Sequence, residues 1–173
     1  MKLTTQRLSI RPFEESDFKD LYSIYQNKEI CRYLLHEPWE DHDALEHFQK
    51  KLENNQLTEK NSLSLAVLYE GKVVGDINTF YTDMKDTVEI GYTFHPESTG
   101  KGLATEAVRE LIEWLFYEKD IHRIQANIDA RNTSSAKLCE RVGLRKEAHF
   151  LQDFWNKDEW TDSLVYGMLR KDL

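Results

Sequence analysis

A chain of 173 residues with 40% hydrophobic and 12% aromatic side chains is the size of one domain, residues 1–173, with enough apolar mass to bury a core. Its 31 acidic against 23 basic residues give a formal charge of −8, and no basic run of five occurs, which argues against nucleic-acid binding through phosphate neutralisation. An acidic surface draws amines and basic peptides instead.

Leu8 to Phe13 alternates and ends beside a proline, predicting a first strand. Ser16 reads as an N-cap, and Phe18, Leu21, Tyr22 and Tyr25 follow at helical spacing. Asp41 to about Leu52 predicts a second helix, and the polar stretch Glu53 to Asn61 a loop. Leu63, Leu65 and Val67 alternate, Glu70-Gly71 supplies turn chemistry, and Val73 to Tyr81 returns as the partner of a hairpin. After the polar link Thr82 to Asp86, Val88 to Phe94 forms a third alternating run that stops at His95-Pro96.

The clearest helix starts near Gly102 and ends around Lys119, with Val108, Leu111, Ile112, Leu115 and Phe116 at i, i+3, i+4, i+7 and i+8. Ile124 to Ile128 is a short strand. Asn132 to Ser135 is an N-cap cluster opening a helix that runs to Val142, with Gly143 as its C′ residue. Lys146 to Phe154 and Thr161 to Leu169 are two last strands around the polar turn at Asn156 to Glu159. The pattern is one mixed α/β sheet with helices against it.

Cys31 and Cys139 are far apart, the six histidines are scattered, and His42 and His47 stand five apart with no ligand spacing around them. Neither a disulfide framework nor a metal site is expected. The opening Met-Lys-Leu-Thr-Thr-Gln-Arg lacks the apolar stretch of a secretory leader, and no run of about 18 apolar residues exists to span a membrane. The expected setting is cytoplasmic.

Thr87 to Ala107 carries the most information: a strand, a glycine loop and the start of the longest helix. That order gathers unpaired backbone N–H groups and the positive end of a helix dipole at one spot, which favours a phosphate. Gly100-Lys101-Gly102 does not complete Gly-x-x-x-x-Gly-Lys-Ser/Thr, and Thr105 stands where a dinucleotide fingerprint needs its third glycine. The loop also follows three strands, whereas a dinucleotide loop belongs to the first strand of a parallel array.

Gly100-Lys101-Gly102-Leu103-Ala104 after an aliphatic-aromatic strand resembles the acyl-CoA pyrophosphate loop of the GNAT superfamily of N-acetyltransferases. Glu89-Ile90-Gly91-Tyr92 and Ala104-Thr105-Glu106-Ala107 flank it as in that superfamily, and Asn132-Thr133-Ser134-Ser135 with Glu140-Arg141-Val142-Gly143-Leu144 is similar to its Asn-x-x-Ser and Glu-Lys-x-Gly-Phe helix. Thr5-Gln6-Arg7-Leu8, Arg11-Pro12 and Trp160 to Tyr166 resemble the branch that acetylates ribosomal-protein N-termini. One departure stands at Thr99, where the superfamily usually has Gln or Arg.

The resemblance implies a mostly antiparallel sheet with a splayed parallel pair, Glu89 to Phe94 beside Ile124 to Asp129. It implies acetyl-CoA as donor and an amine as acceptor. The diphosphate belongs to Thr99, Gly100, Lys101, Gly102, Leu103, Ala104 and Thr105, and the pantetheine arm to the backbone of Tyr92 and Phe94 and to Asn132. Amine attack on a thioester needs a proton acceptor and a partner for the departing sulfur. Ser135 is the expected sulfur partner, and Glu89 the expected base. Asp76 and Glu37 are weaker bases, and none is needed if the amine arrives neutral. Cys139 stands where many relatives carry tyrosine. Arg141 stands in reach of the adenosine phosphate or simply on the surface, and Tyr33, Leu34 and Trp39 stand in the acceptor wall or in the core. A protein N-terminus, a small amine such as a polyamine or antibiotic, and acyl-CoA binding without turnover all remain open, as does a homodimer.

Overall fold

Nine strands form in this computed structural model, which describes residues 1–173. They are β1 (Leu3–Thr4), β2 (Leu8–Pro12), β3 (Asn55–Thr58), β4 (Asn61–Tyr69), β5 (Lys72–Tyr81), β6 (Thr87–Phe94), β7 (Arg123–Asp129), β8 (Arg145–Asn156) and β9 (Glu159–Leu169). Five helices accompany them: α1 (Phe18–Tyr25), α2 (Lys28–Cys31), α3 (Ala44–Glu53), α4 (Leu103–Tyr117) and α5 (Thr133–Arg141). All strands join one sheet in the order β1-β2-β4-β5-β6-β7-β9-β8, with β3 also on β4. Every pairing is antiparallel except β6 with β7.

Successive side chains of a strand point to opposite faces, and the two apolar clusters follow that rule. Leu63, Leu65, Val67, Val88 and Ile90 join Leu103, Val108, Leu111 and Phe116 of α4 in the larger cluster. Ala66 and Val73 join Leu21 and Ile24 of α1, Phe48 of α3 and Trp39 in the smaller one. The helices α4 and α5 therefore cover one face, and α1 and α3 the other. The type I′ turns follow from backbone sign: Glu70 and Gly71 both have positive φ, as do Lys157 and Asp158, which matches the twist of two-residue hairpins.

The β6–β7 pair positions the site. Its register holds only over Thr87↔Arg123, Val88↔Ile124 and Glu89↔Gln125, although β6 continues to Phe94 and β7 to Asp129. Beyond Glu89 the two strands part. No helix is long and apolar enough to cross a membrane.

Some expectations need correction. Ser16 is not an N-cap: it lies inside a 3-10 turn, Glu15–Asp17, and Asp17 occupies the N-cap position of α1 without a side-chain bond to the helix. Arg11 anchors that turn by clamping the Asp17 carboxylate at 2.7 and 3.0 Å. The second helix starts at Ala44 rather than Asp41. The expected loop Glu53 to Asn61 contains β3, whose one buried residue is Leu57. Both β1 and the short α2 are additional elements.

Candidate active site

At the head of α4, Gly102 is the N-cap in a left-handed conformation, with no side chain capping the helix. The first intrahelical bond runs from Glu106 N to Gly102 O at 3.0 Å. The N–H groups of Leu103, Ala104 and Thr105 thus have no acceptor within the chain, and they add to the dipole of a 15-residue helix. A Cβ built on Gly100 meets nothing within 4 Å, so this face of the loop is open. The site has the donors and the clearance that a diphosphate requires.

Arg7 holds the loop, a role unseen in the sequence. Its guanidinium donates to the Lys101 carbonyl at 2.8 Å and to Glu106 Oε2 at 2.7 Å, and its backbone N–H donates to Glu106 Oε1 at 3.0 Å. Thr5 Oγ1 adds a bond to the same carboxylate at 2.5 Å. Burial works against ionisation of Glu106, yet these bonds and the Arg7 charge hold its carboxyl below the usual range. The contacts span about a hundred residues of sequence, so no local pattern reveals them.

A cleft of about 1230 Å³ runs from this loop along β6. Thr99, Gly100, Gly102, Leu103, Ala104 and Thr105 line one end, and Tyr92, Phe94, Asn132 and Ser135 line its deeper part. Lys101 differs from expectation: its side chain does not line the cleft, and its ammonium lies 5.8 Å over the Tyr69 ring. Thr99 turns its hydroxyl onto the Pro96 carbonyl at 2.6 Å. Arg141 lines the cleft and reaches Thr105 Oγ1 at 3.3 Å.

The backbone of β6 opens into the gap. His95 N donates to Val74 O across the β5 ladder, and antiparallel pairs alternate in bonding direction. The odd-numbered residues of β6 therefore bond β5. The N–H and C=O groups of Tyr92 and Phe94 point the other way, to where β7 has departed.

A second cavity of about 400 Å³ adjoins the first on the α1/α3 face, and the two share Tyr33, Leu34, Tyr92, Asn132 and Ser135. Glu89 lines this second cavity and accepts from Gln125 Nε2 at 2.9 Å and Asn127 Nδ2 at 3.3 Å. Both bonds end on Oε2, leaving Oε1 free to accept. Asp129 and Asp153 also line the cavity, and no Lys or Arg does. Above it the β8–β9 turn clasps the end of α2 and the segment after it: Lys157 Nζ donates to Cys31 O at 2.7 Å, and Asn156 Nδ2 to Leu34 O at 3.3 Å.

The other candidates separate. Asp76 is 2% exposed and lines neither cavity. It is held by Tyr25 and Lys51, each at 2.5 Å, so it is not open to an acceptor. Glu37 is exposed and outside both cavities, and Trp39 is buried in the smaller core. Ser135 sits in the first turn of α5, its N–H held by Asn132 Oδ1 at 3.2 Å. Its Oγ bonds the Tyr92 hydroxyl at 3.0 Å, and Cys139 Sγ lies 3.1 Å from that hydroxyl. The Tyr92 side chain was missed in the sequence, where only its backbone was assigned.

Comparison with known proteins agrees with this geometry. The chain is 30% identical over 172 residues to the uncharacterized N-acetyltransferase YnaD of Bacillus subtilis, with 99% of each chain covered. It is 24% identical over 164 residues to the spermidine N(1)-acetyltransferase of Vibrio cholerae, covering 90% of this chain and 89% of that one. The solved GNAT-family acetyltransferase from Bacillus anthracis superimposes with a TM-score of 0.88 at 26% identity over 99% of both chains. RimL, a ribosomal L7/L12 alpha-N-protein acetyltransferase solved with coenzyme A, shares the fold with a TM-score of 0.85 at 16% identity over 98% of both. The family model described as an acetyltransferase (GNAT) domain matches residues 7–145, and with the split sheet and the uncapped α4 this chain belongs to the GNAT N-acetyltransferases.

Proposed function

We propose that the protein transfers the acetyl group of acetyl-CoA directly to a primary amine, such as the α-amine of a protein N-terminus. The observation that carries this reading is the meeting of two cavities at the gap between β6 and β7, one beginning at the uncapped α4 and the other lined by Glu89. Acetyl-CoA, when bound, supplies the activated acyl group. The N–H groups of Leu103, Ala104 and Thr105 suit its diphosphate, and the free backbone of Tyr92 and Phe94 suits its amide-bearing arm. Glu89, fixed by Gln125 and Asn127, is the carboxylate positioned to take a proton from the amine, directly or through water. Ser135 brings a hydroxyl and the positive end of α5 to the sulfur side of the gap.

A second acceptor class has its own support. The amine-side cavity is small, clasped by the β8–β9 turn and lined by Glu89 and Asp153, with Asp129 already paired to Arg131, and its two remaining carboxylates favour a compact, positively charged amine. The test is thiol release from acetyl-CoA with peptides beginning Ser or Ala, polyamines and aminoglycosides as acceptors. Turnover with one class identifies the acceptor. Tight acetyl-CoA binding with no thiol release across the panel overturns the transferase reading in favour of a regulatory acyl-CoA-binding module.

A further inference from the structure

Three reactive side chains converge where the two cavities meet, on the α4/α5 face of the sheet. Ser135 Oγ donates to the Tyr92 hydroxyl at 3.0 Å. That hydroxyl turns its own proton to the Ser135 carbonyl at 3.0 Å, with Cys139 Sγ at 3.1 Å beside it. The direction of these bonds matters. The serine proton is given to the phenol oxygen, and the phenol proton can exchange its bond to the Ser135 carbonyl for one to a ligand. Tyr92 lines both cavities, whereas Cys139 is 1% exposed and lines neither.

The surroundings keep that proton in place until it is needed. Burial first, then the neighbouring Cys139, pushes the Tyr92 phenol well above its ordinary range. Cys139 and Tyr166 are the other titratable groups that act on the hydroxyl. Burial also pushes up the Cys139 thiol, and burial with a hydrogen bond to Glu140 pushes the Tyr166 phenol up to about 12. The N-terminal turn of α5 faces the same point, and its dipole favours negative charge developing there.

We propose that Tyr92 is a catalytic residue of the acetyl transfer, its phenolic O–H being the donor to the departing sulfur, while Ser135 is a positioning residue that holds the phenol oxygen. The inference rests on the transferase reading above. In the balanced step the amine nitrogen forms the C–N bond, and the C–S bond breaks with its electron pair left on sulfur. The phenol O–H hydrogen-bonds that sulfur as its charge develops, and the thiolate takes its proton from water in the open cleft. The proton shed by the amine leaves to Glu89 or to water.

Tyr92→Phe keeps the ring and removes only the O–H. The first measurement is independent of turnover: the ultraviolet absorbance of the thiolate of bound coenzyme A is titrated with pH, the ligand-free protein being subtracted. A phenol hydrogen bond to the charged form lowers the pH at which the bound thiol ionises by about one to two units relative to Tyr92→Phe. The second is kinetic: kcat falls about a hundredfold, while coenzyme A affinity and melting temperature stay near wild type. Ser135→Ala gives a smaller loss, and the double variant is no worse than Tyr92→Phe alone, as expected of groups acting as one unit. Coincident titrations in wild type and Tyr92→Phe overturn the donor role whatever happens to kcat. Unchanged kcat in Tyr92→Phe overturns it as well. A wild-type protein that acetylates no amine overturns the transferase reading instead, and the titration still reports on the phenol.

Discussion

At Gly100 and Gly102 the backbone holds φ at +76° and +75°, a region in which a side chain costs about 1–2 kcal/mol. Gly100→Ala adds a Cβ that meets nothing within 4 Å, so its effect is the backbone cost alone. A thermal melt should fall by about 2–8 °C, with coenzyme A binding retained. Gly102→Glu sets a carboxylate beside the three uncapped N–H groups, where repulsion should weaken coenzyme A by about a hundredfold in calorimetry; undiminished affinity would move the diphosphate to another place. These two glycines were readable in the sequence because positive φ selects glycine, and the helix that follows declares its own start. Lys101 is open in the sequence between a phosphate contact and a solvated loop lysine, because proximity to a phosphate loop does not fix the direction of a long, flexible side chain; here its ammonium lies over the ring of Tyr69. Tyr92 was half-read. Strand alternation gave its face, but only the fold brings its hydroxyl across to α5, 43 residues on in sequence.

Among the elements, the N-terminal segment acts as a staple on the phosphate loop. Removing Arg7 as Arg7→Ala frees the Lys101 carbonyl and one side of Glu106, and coenzyme A affinity should drop several-fold with little loss of secondary structure by circular dichroism. The staple is acid-sensitive in a defined direction. The folded-state pKa of Glu106 lies below the ordinary value of 4.5, so its stabilising contribution is present above that value and disappears as pH falls through the folded pKa. The gap in melting temperature between wild type and Glu106→Gln should therefore close between neutral pH and the acid side of 4.5. At the other cavity, Lys157→Ala releases the clasp on Cys31; the KM for the amine should rise while that for acetyl-CoA holds. The long helix α4 was legible from its apolar spacing and β5–β6 from alternation. The short α2 was passed over although Asn27 caps it, accepting from Glu29 N and Ile30 N, because four residues are too few to show a period. The strand β3 is polar apart from Leu57 and owes its existence to β4.

Across the whole molecule, the two faces of the sheet have different work. On the α1/α3 face, Asp76 takes bonds from Tyr25 and Lys51 and ties two helices to β5. Lys51→Met strands a buried carboxylate, and chemical denaturation should show a loss of about 3 kcal/mol. The other face is an apolar bed for α4, and its composition followed directly from the sequence pattern. The division of the sheet came only from the resemblance to the GNAT superfamily: the residues after Glu89 alternate as if pairing continued, and nothing in β6 or β7 alone announces that they diverge. That divergence has a mechanical consequence. Only three rungs connect the half-sheet ending in β6 to the half beginning with β7, so with the groove empty the amides of Tyr92 and Phe94 have no cross-strand acceptor and should exchange with deuterated solvent quickly. An amide-bearing arm lying in the groove would serve as a surrogate strand, slowing both amides and welding the two halves together, so that the ligand would complete the architecture as well as feed the chemistry.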